Sequence, residues 1–254
     1  MNIITNPNLP GTAARVCAVS AQHPALLRQL HSLNIMTVLV LPRADAGGDI
    51  ADHADMNLLH LGGRDILLLP NQPRLQRDLT NMGFCVTLLP PKPRCAYPAH
   101  ACLNAAFVGK RLFCNPKTVS PHVLEFAQEN GSAIHHVNQG YTKCAVCVVT
   151  ENAIITDDDG IAKAAAPYLD TLHIAKGGIH LDGHPYGFIG GASGLLAPDL
   201  LLFYGNVEAL PDGKRILDFL AAQGVRALYS KELPLTDAGG ILPLAQCAGE
   251  GEKE

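Results

Sequence analysis

The sequence predicts an α/β protein, a five-bladed β/α-propeller of pseudo-repeated ββαβ units in which the two chain termini together complete the fifth unit. Three observations predict it. A pattern of strand, turn, strand, helix and strand recurs four times, each time with Gly, Asn or Asp in the turns. The polar residues closing each second strand, Asn71, Asn115, Asp157 and Asn206, are spaced by 44, 42 and 49 residues. Finally, the segments at the two ends are complementary fragments of the same unit, and joining them leaves no unpaired blade edge.

The elements follow in order. At the N-terminal end RVCAVS is an apolar strand, HPALLRQLHSLN an amphipathic helix and MTVLVLP a further strand. The first full unit reads NLLHL, turn GGRD, ILLLPN, helix QPRLQRDLTNMG and strand FCVTLLP. The second reads NAAFV, turn GKR, LFCN, helix TVSPHVLEFAQENG and strand AIHHVN. The third reads CAVCVV, turn TEN, AIITD, helix DGIAKAAAPYLD and strand TLHIAK, and the fourth GFIGGAS, turn GLLAPD, LLLFYGN, helix LPDGKRILDFLAAQG and strand RALYS. DAGGILPLAQ then supplies the first strand of the split unit. Gly83, Gly131 and Gly224 stand where helices end, the position at which a left-handed residue satisfies the last carbonyls. Residues 1–246 are expected to form one domain, with 247–254, CAGEGEKE, as a flexible acidic tail.

Composition narrows the partners. With 254 residues, 48% of them hydrophobic and 17% charged, the chain can bury a large core. A net charge of −4 with no concentrated Lys/Arg patch argues against nucleic acid and anionic membrane as partners, and favours a small molecule. No apolar run is long enough to span a bilayer and the first residues lack a secretory pattern, so a cytoplasmic protein is expected. Most of the eight cysteines sit in or beside apolar runs and read as reduced core residues. Cys144-Ala-Val-Cys147 has a metal-binding spacing, but on an extended strand its thiols would face opposite sides. Asp157-Asp158-Asp159 precedes a helix, where carboxylates serve as caps, so neither a metal nor another cofactor is expected.

In a propeller of this kind the opening of each first strand faces the central channel. Aligning the hairpins puts His53, Asp55 and Asn57 there from the first unit, and His100, Cys102 and Asn104 from the second. The third unit gives Tyr141, Lys143 and Cys144, the fourth His184 and Tyr186, and the fifth Asp237. Such a set is unusually polar for strand starts. In this reading His53 and Asp55 alternate onto one face of a strand.

The five-unit organisation resembles the pentein fold of the guanidino-group-modifying superfamily, over roughly residues 15–246. HADMN, GYTKCAVCVV, GHPYGFIGGASG and TDAGGILPL are similar to an uncharacterised bacterial family assigned to that fold. The resemblance implies a cysteine nucleophile soon after a Gly-Gly pair in the last unit, a histidine acid/base opening the fourth, and carboxylates gripping a planar cation. Gly239-Gly240 is followed by Ile241-Leu242-Pro243, so the implied cysteine is missing there; Cys247 is four residues further on. His184 is then the candidate acid/base, with His180-Leu181-Asp182 and His53 as alternatives, and Cys144 the candidate nucleophile. His53, Asp55, Asn57, Asn104, Tyr141, Lys143, Tyr186 and Asp237 are candidate contacts to a guanidine-like or amino-acid-like ligand. Two readings stay open: a hydrolase or deiminase acting on a guanidine or related C–N bond, and a non-catalytic binding or protein-interaction module on the same scaffold.

Overall fold

The computed structural model describes residues 1–43, 48, 50–90 and 97–249. The acidic tail expected at 247–254 lies, from residue 250 on, outside the described residues. The described residues fold into five small sheets of mixed direction, four of three strands each and one of four strands.

The first element is a short strand, β1 (Asn2–Ile3), followed by β2 (Ala14–Ser20), α1 (Pro24–Ser32) and β3 (Met36–Val40). A four-residue helical turn, α2 (Ala54–Asn57), leads into β4 (Leu58–Gly62), β5 (Asp65–Leu68), α3 (Pro73–Asn81) and β6 (Cys85–Leu88). Next come β7 (Ala106–Val108), β8 (Arg111–Cys114), α4 (Pro121–Glu129) and β9 (Ala133–His136). The following unit is β10 (Val146–Thr150), β11 (Ala153–Thr156), α5 (Asp159–Ala165) and β12 (Asp170–His173). The chain finishes with β13 (Ser193–Ala197), β14 (Leu200–Phe203), α6 (Gly213–Ala222), β15 (Arg226–Leu228) and β16 (Leu242–Gln246).

In four sheets the first two strands pair antiparallel and the third adds in parallel after the helix, as in β4-β5-β6. The remaining sheet has the order β1-β16-β2-β3, so the C-terminal strand is hydrogen-bonded between two N-terminal ones, with Leu242 opposite Ala18 and Asn2 opposite Gln246. First strands also pack side by side: β10 contacts β7 and β13, and β13 contacts β16.

Each helix except the four-residue α2 buries a pair of residues four apart: Leu26 and Leu30, Leu75 and Leu79, Val123 and Ala127, Ile161 and Ala165, Ile216 and Leu220. Residues at that spacing share one helix face, which fixes the side laid against the sheet. Pro24, Pro73 and Pro121 open three of the helices, where their missing N–H costs nothing. Asn34, Gly83, Gly131 and Gly224 follow helix ends at positive φ. Burial is greatest in the hairpin strands, and the third strands β6, β9, β12 and β15 are mostly partly or fully exposed. No helix among the described residues is long and apolar enough to cross a membrane.

Two expectations need correction. The strand openings are turns: Ala54–Asn57 is helical, the 142–145 segment closes with Ala145 N–H on Tyr141 O at 3.0 Å, and Ala192 N–H reaches Phe188 O at 3.1 Å. His53 and Asp55 therefore do not alternate on a strand, and Lys143 and Cys144 share a turn. In the fourth unit the hairpin is shifted: GFIGGAS is mostly turn, and β13 begins at Ser193. The turn needs glycine, since a Cβ on Gly190 would collide with the carbonyl oxygens of Val146 and Lys143.

Candidate functional site

The turns that precede the first strands are joined to one another in a closed circuit of hydrogen bonds, made by backbone groups and the Asn104 side chain. Gly239 O accepts from Asp55 N–H at 3.0 Å. Asn104 then ties the second unit to its neighbours: its Nδ2 donates to Asp55 O at 3.1 Å, and its Oδ1 accepts from Lys143 N–H at 2.7 Å and Cys144 N–H at 3.1 Å. Cys144 O accepts from Gly191 N–H at 3.0 Å, and Gly191 O accepts from Ala238 and Gly240 N–H at 3.1 and 2.8 Å. The circuit thus runs through Asp55, Asn104, Cys144, Gly191 and the 238–240 segment, which returns it to Asp55.

A cavity of about 280 Å³ lies over this circuit. Six of the sequence candidates line it: His53, Tyr141, Cys144, His184, Tyr186 and Asp237. Ile50, Met56, Leu181, Pro185 and Phe188 complete a largely apolar wall. Tyr141, Tyr186 and Phe188 form a run of ring contacts, with centroids 6.2 Å apart for Tyr141–Phe188 and 6.1 Å for Tyr186–Phe188. Tyr141 is bonded through its hydroxyl to His100 Nε2 at 2.6 Å, and burial pushes its pKa up to about 12, so it stays a neutral phenol.

Asp237 is the carboxylate of this cavity. Its Oδ2 accepts from Phe188 N–H at 2.9 Å and its Oδ1 from Gly239 N–H at 3.0 Å, while its own N–H donates to His180 O at 2.8 Å. Gly191 makes room for it, because a Cβ there would sit inside the carboxyl group. His53 is equally buried, with Nδ1 3.8 Å from Asp237 Oδ1. Gly239, at φ 76°, passes so close to His53 that no side chain fits between them.

Cys144 borders the cavity in a state unsuited to attack. Burial, then the Asp55 and Asp237 charges, raise its pKa well above the ordinary thiol value, and the Asp55 carboxyl faces it. Its Sγ accepts from Asn104 Nδ2 at 3.0 Å. No histidine is hydrogen-bonded to it among the described residues. Asp55 is raised as well, first by burial; His53 and Lys143 pull the other way. Neither of its oxygens meets an N–H or O–H donor among the described residues. Asp55 and Lys143 line a separate void of about 10 Å³ on the floor side, with His60 and Pro243. Lys143 Nζ lies 3.4 Å from Gly190 O.

Two candidates hold the structure and do not line the cavity. Asn57 spends its Nδ2 on Ala51 O and His53 O at 3.0 and 2.8 Å, bracing the loop that carries His53. Asn104 is consumed by the circuit. His180 is exposed and bonded to Asp182 at 2.9 Å. Ile241, where the resemblance implied a cysteine, packs with Leu196, Tyr204 and Ala238. Cys247 pairs with Ala13 through its backbone at 2.8 Å, outside the cavity walls. His23, Asp52 and Asp182, which the strand-opening pattern passes over, border an adjoining cavity; for two of them the signal was local, since Asp52 abuts His53 and Asp182 follows His180.

Solved structures share the fold at low identity. An amidinotransferase of the saxitoxin biosynthetic pathway from Microseira wollei matches at TM-score 0.60 and 10% identity, covering 97% of this chain and 98% of its own. The inosamine-phosphate amidinotransferase of Streptomyces griseus matches at 0.58 and 11%, covering 89% and 80%. The dimethylarginine dimethylaminohydrolase of Pseudomonas aeruginosa, solved with citrulline, matches at 0.56 and 9%, covering 85% and 92%. These place the chain in the pentein fold, and no curated protein matches it by sequence. With its model matching residues 18–242, the family of unknown function DUF6873 is the one to which this chain belongs.

Proposed function

We propose that the protein is a closed five-bladed ring of ββαβ units whose central cavity binds a small organic cation without covalent attack. The hydrogen-bonded circuit through five turns and the seating of β16 between β1 and β2 support the ring. The observation that carries the ligand class is Asp237: a buried carboxylate, fixed by two backbone N–H groups, opening onto a cavity walled by Tyr141, Tyr186 and Phe188. A charged hydrogen bond contributes about 1.5–3 kcal/mol and a cation over an aromatic face about 0.5–2 kcal/mol. The structural relatives, amidinotransferases and a dimethylarginine dimethylaminohydrolase, point to the same chemistry, and Cys144, held protonated by burial and with no histidine bonded to it among the described residues, favours binding over covalent attack.

Should a bound ligand also be turned over, His53 beside Asp237 is the group placed to move a proton, in preference to the exposed His184. The test is calorimetry and thermal shift with guanidine, alkylguanidines, alkylamines, agmatine, arginine and citrulline, with ammonia and urea release followed for every binder. Cations are expected to bind and to lose at least tenfold in affinity in Asp237→Asn. Stabilisation by neutral citrulline alone, or equal binding by Asp237→Asn, overturns the reading.

A further inference from the structure

A second cavity, of about 380 Å³, adjoins the first and shares His53, Leu181 and Asp237 with it. Its chemistry is different. Gln22, His23, Asp52, Asp182 and Thr236 supply a polar wall in place of the aromatic one. Asp52 is buried, with one oxygen taken by the Ser20 hydroxyl, whereas Asp182 is exposed and bonded to His180. Asp237 stands between the cavities, so three carboxylates border one space. Among the described residues no lysine or arginine lines either cavity. Nor does His23 supply the missing charge, because burial pushes its imidazole below the usual range despite the pull of Asp52, Asp237 and Asp182. Carboxylates gathered in a concave, partly desolvated space repel one another, and a cation from outside relieves that repulsion.

Resting on the cation-binding reading above, we propose that the two cavities are one divided site, and that its ligand is an aliphatic chain with a cationic group at each end and no carboxylate. One head lies against Asp237 and the aromatic wall; the other lies between Asp52 and Asp182. The apolar residue shared by both cavities, Leu181, borders the path of the chain. An α-amino acid is excluded by the same charges, since its carboxylate would meet Asp52 and Asp182.

Calorimetry on the full chain tests this with four probes: 1,5-diaminopentane, n-pentylamine, agmatine and L-arginine. The diamine is expected to bind at least tenfold more tightly than the monoamine, and agmatine at least tenfold more tightly than arginine. Asp52→Asn and Asp182→Asn are each expected to bring the diamine down toward the monoamine and leave the monoamine unchanged. Asp182 is exposed, so its variant reports even if Asp52→Asn fails to fold. Arginine binding as tightly as agmatine, or a diamine advantage untouched by Asp182→Asn, overturns the two-headed ligand. If n-pentylamine binds through Asp237 with no diamine advantage, only this inference falls; if no cation binds, the cation-binding reading falls with it.

Discussion

Asp237 and Asp157 are both buried aspartates at chain turns, and the structure treats them in opposite ways. Asp237 receives two backbone N–H groups, and Gly191 leaves space for its carboxylate. At Asp157 no side chain and no other residue's backbone donates to either oxygen among the described residues, and its own N–H is the backbone group that interacts with it. Burial consequently pushes its pKa up to about 7. The repeat shows what is unusual there. Asn115 and Asn206 close the second strands of their units, donating Nδ2 to Asn138 O and Lys231 O at 2.8 and 3.4 Å and accepting from Lys117 and Glu208 N–H. An acid stands at Asp157 where its repeats have an amide. One carboxylate is held by two backbone N–H groups, and the other costs stability for lack of partners.

The largest effect is expected at the supported carboxylate. In Gly191→Ala the new methyl group occupies the place of the Asp237 carboxyl, and the backbone circuit on both sides leaves little room to yield. Overpacking of that kind costs about 1–3 kcal/mol and occasionally more, and the upper end is expected here. Urea denaturation reads it directly, and a variant as stable as the parent would mean that Asp237 is free to move.

A gain is expected at the unsupported one. The folded protein holds the Asp157 proton more tightly than the unfolded chain does, with a pKa of about 7 against 3.8. Stability from this group is therefore full below pH 3.8 and is lost as pH rises to about 7. The Asn variant carries no such slope. Asp157→Asn should stabilise the protein at pH 8 by about 2 kcal/mol, with about 4 kcal/mol as a ceiling from the size of the shift. Near pH 4 the advantage should vanish. Equal urea midpoints at pH 8 would show that Asp157 finds a partner in solution.

Much of the frame was legible because its signals are local. A helix such as 73–81 announces itself through Pro73, the Leu75 and Leu79 pair and Gly83 beyond the end. The turns before the first strands were not legible. ADMN and IGGA are too short for a period to separate turn from strand, and what holds them is remote: Gly239 O for Asp55, Cys144 O for Gly191. The site divides the same way. Strand openings led to six residues of the apolar cavity, because the segments before β4, β10, β13 and β16 all border it. They could not separate Asn57, which braces its own loop, from His53, which faces the cavity. Nor could they find His23, which reaches the second cavity from the segment before α1.

The smallest energetic effect, and the sharpest chemical one, belongs to Cys144. Its sulfur accepts one hydrogen bond from Asn104 and lies in a small apolar cluster with Met56 and Ala101, so Cys144→Ala should cost about 1 kcal/mol. Its reactivity separates binding from covalent catalysis. A catalytic thiol needs a thiolate, and here burial and two neighbouring carboxyl groups all favour the protonated form. Among the described cysteines, iodoacetamide at pH 8 should therefore modify exposed Cys85 and half-buried Cys247 first and Cys144 far more slowly, since burial and the neighbouring carboxyl groups suppress its thiolate. Peptide mass mapping over time reads the order. Were Cys144 the first to react, or were a guanidine to leave an adduct on it, the cavity around Asp237 would have to be read as holding a substrate for attack; a slow Cys144 leaves the non-covalent reading in place.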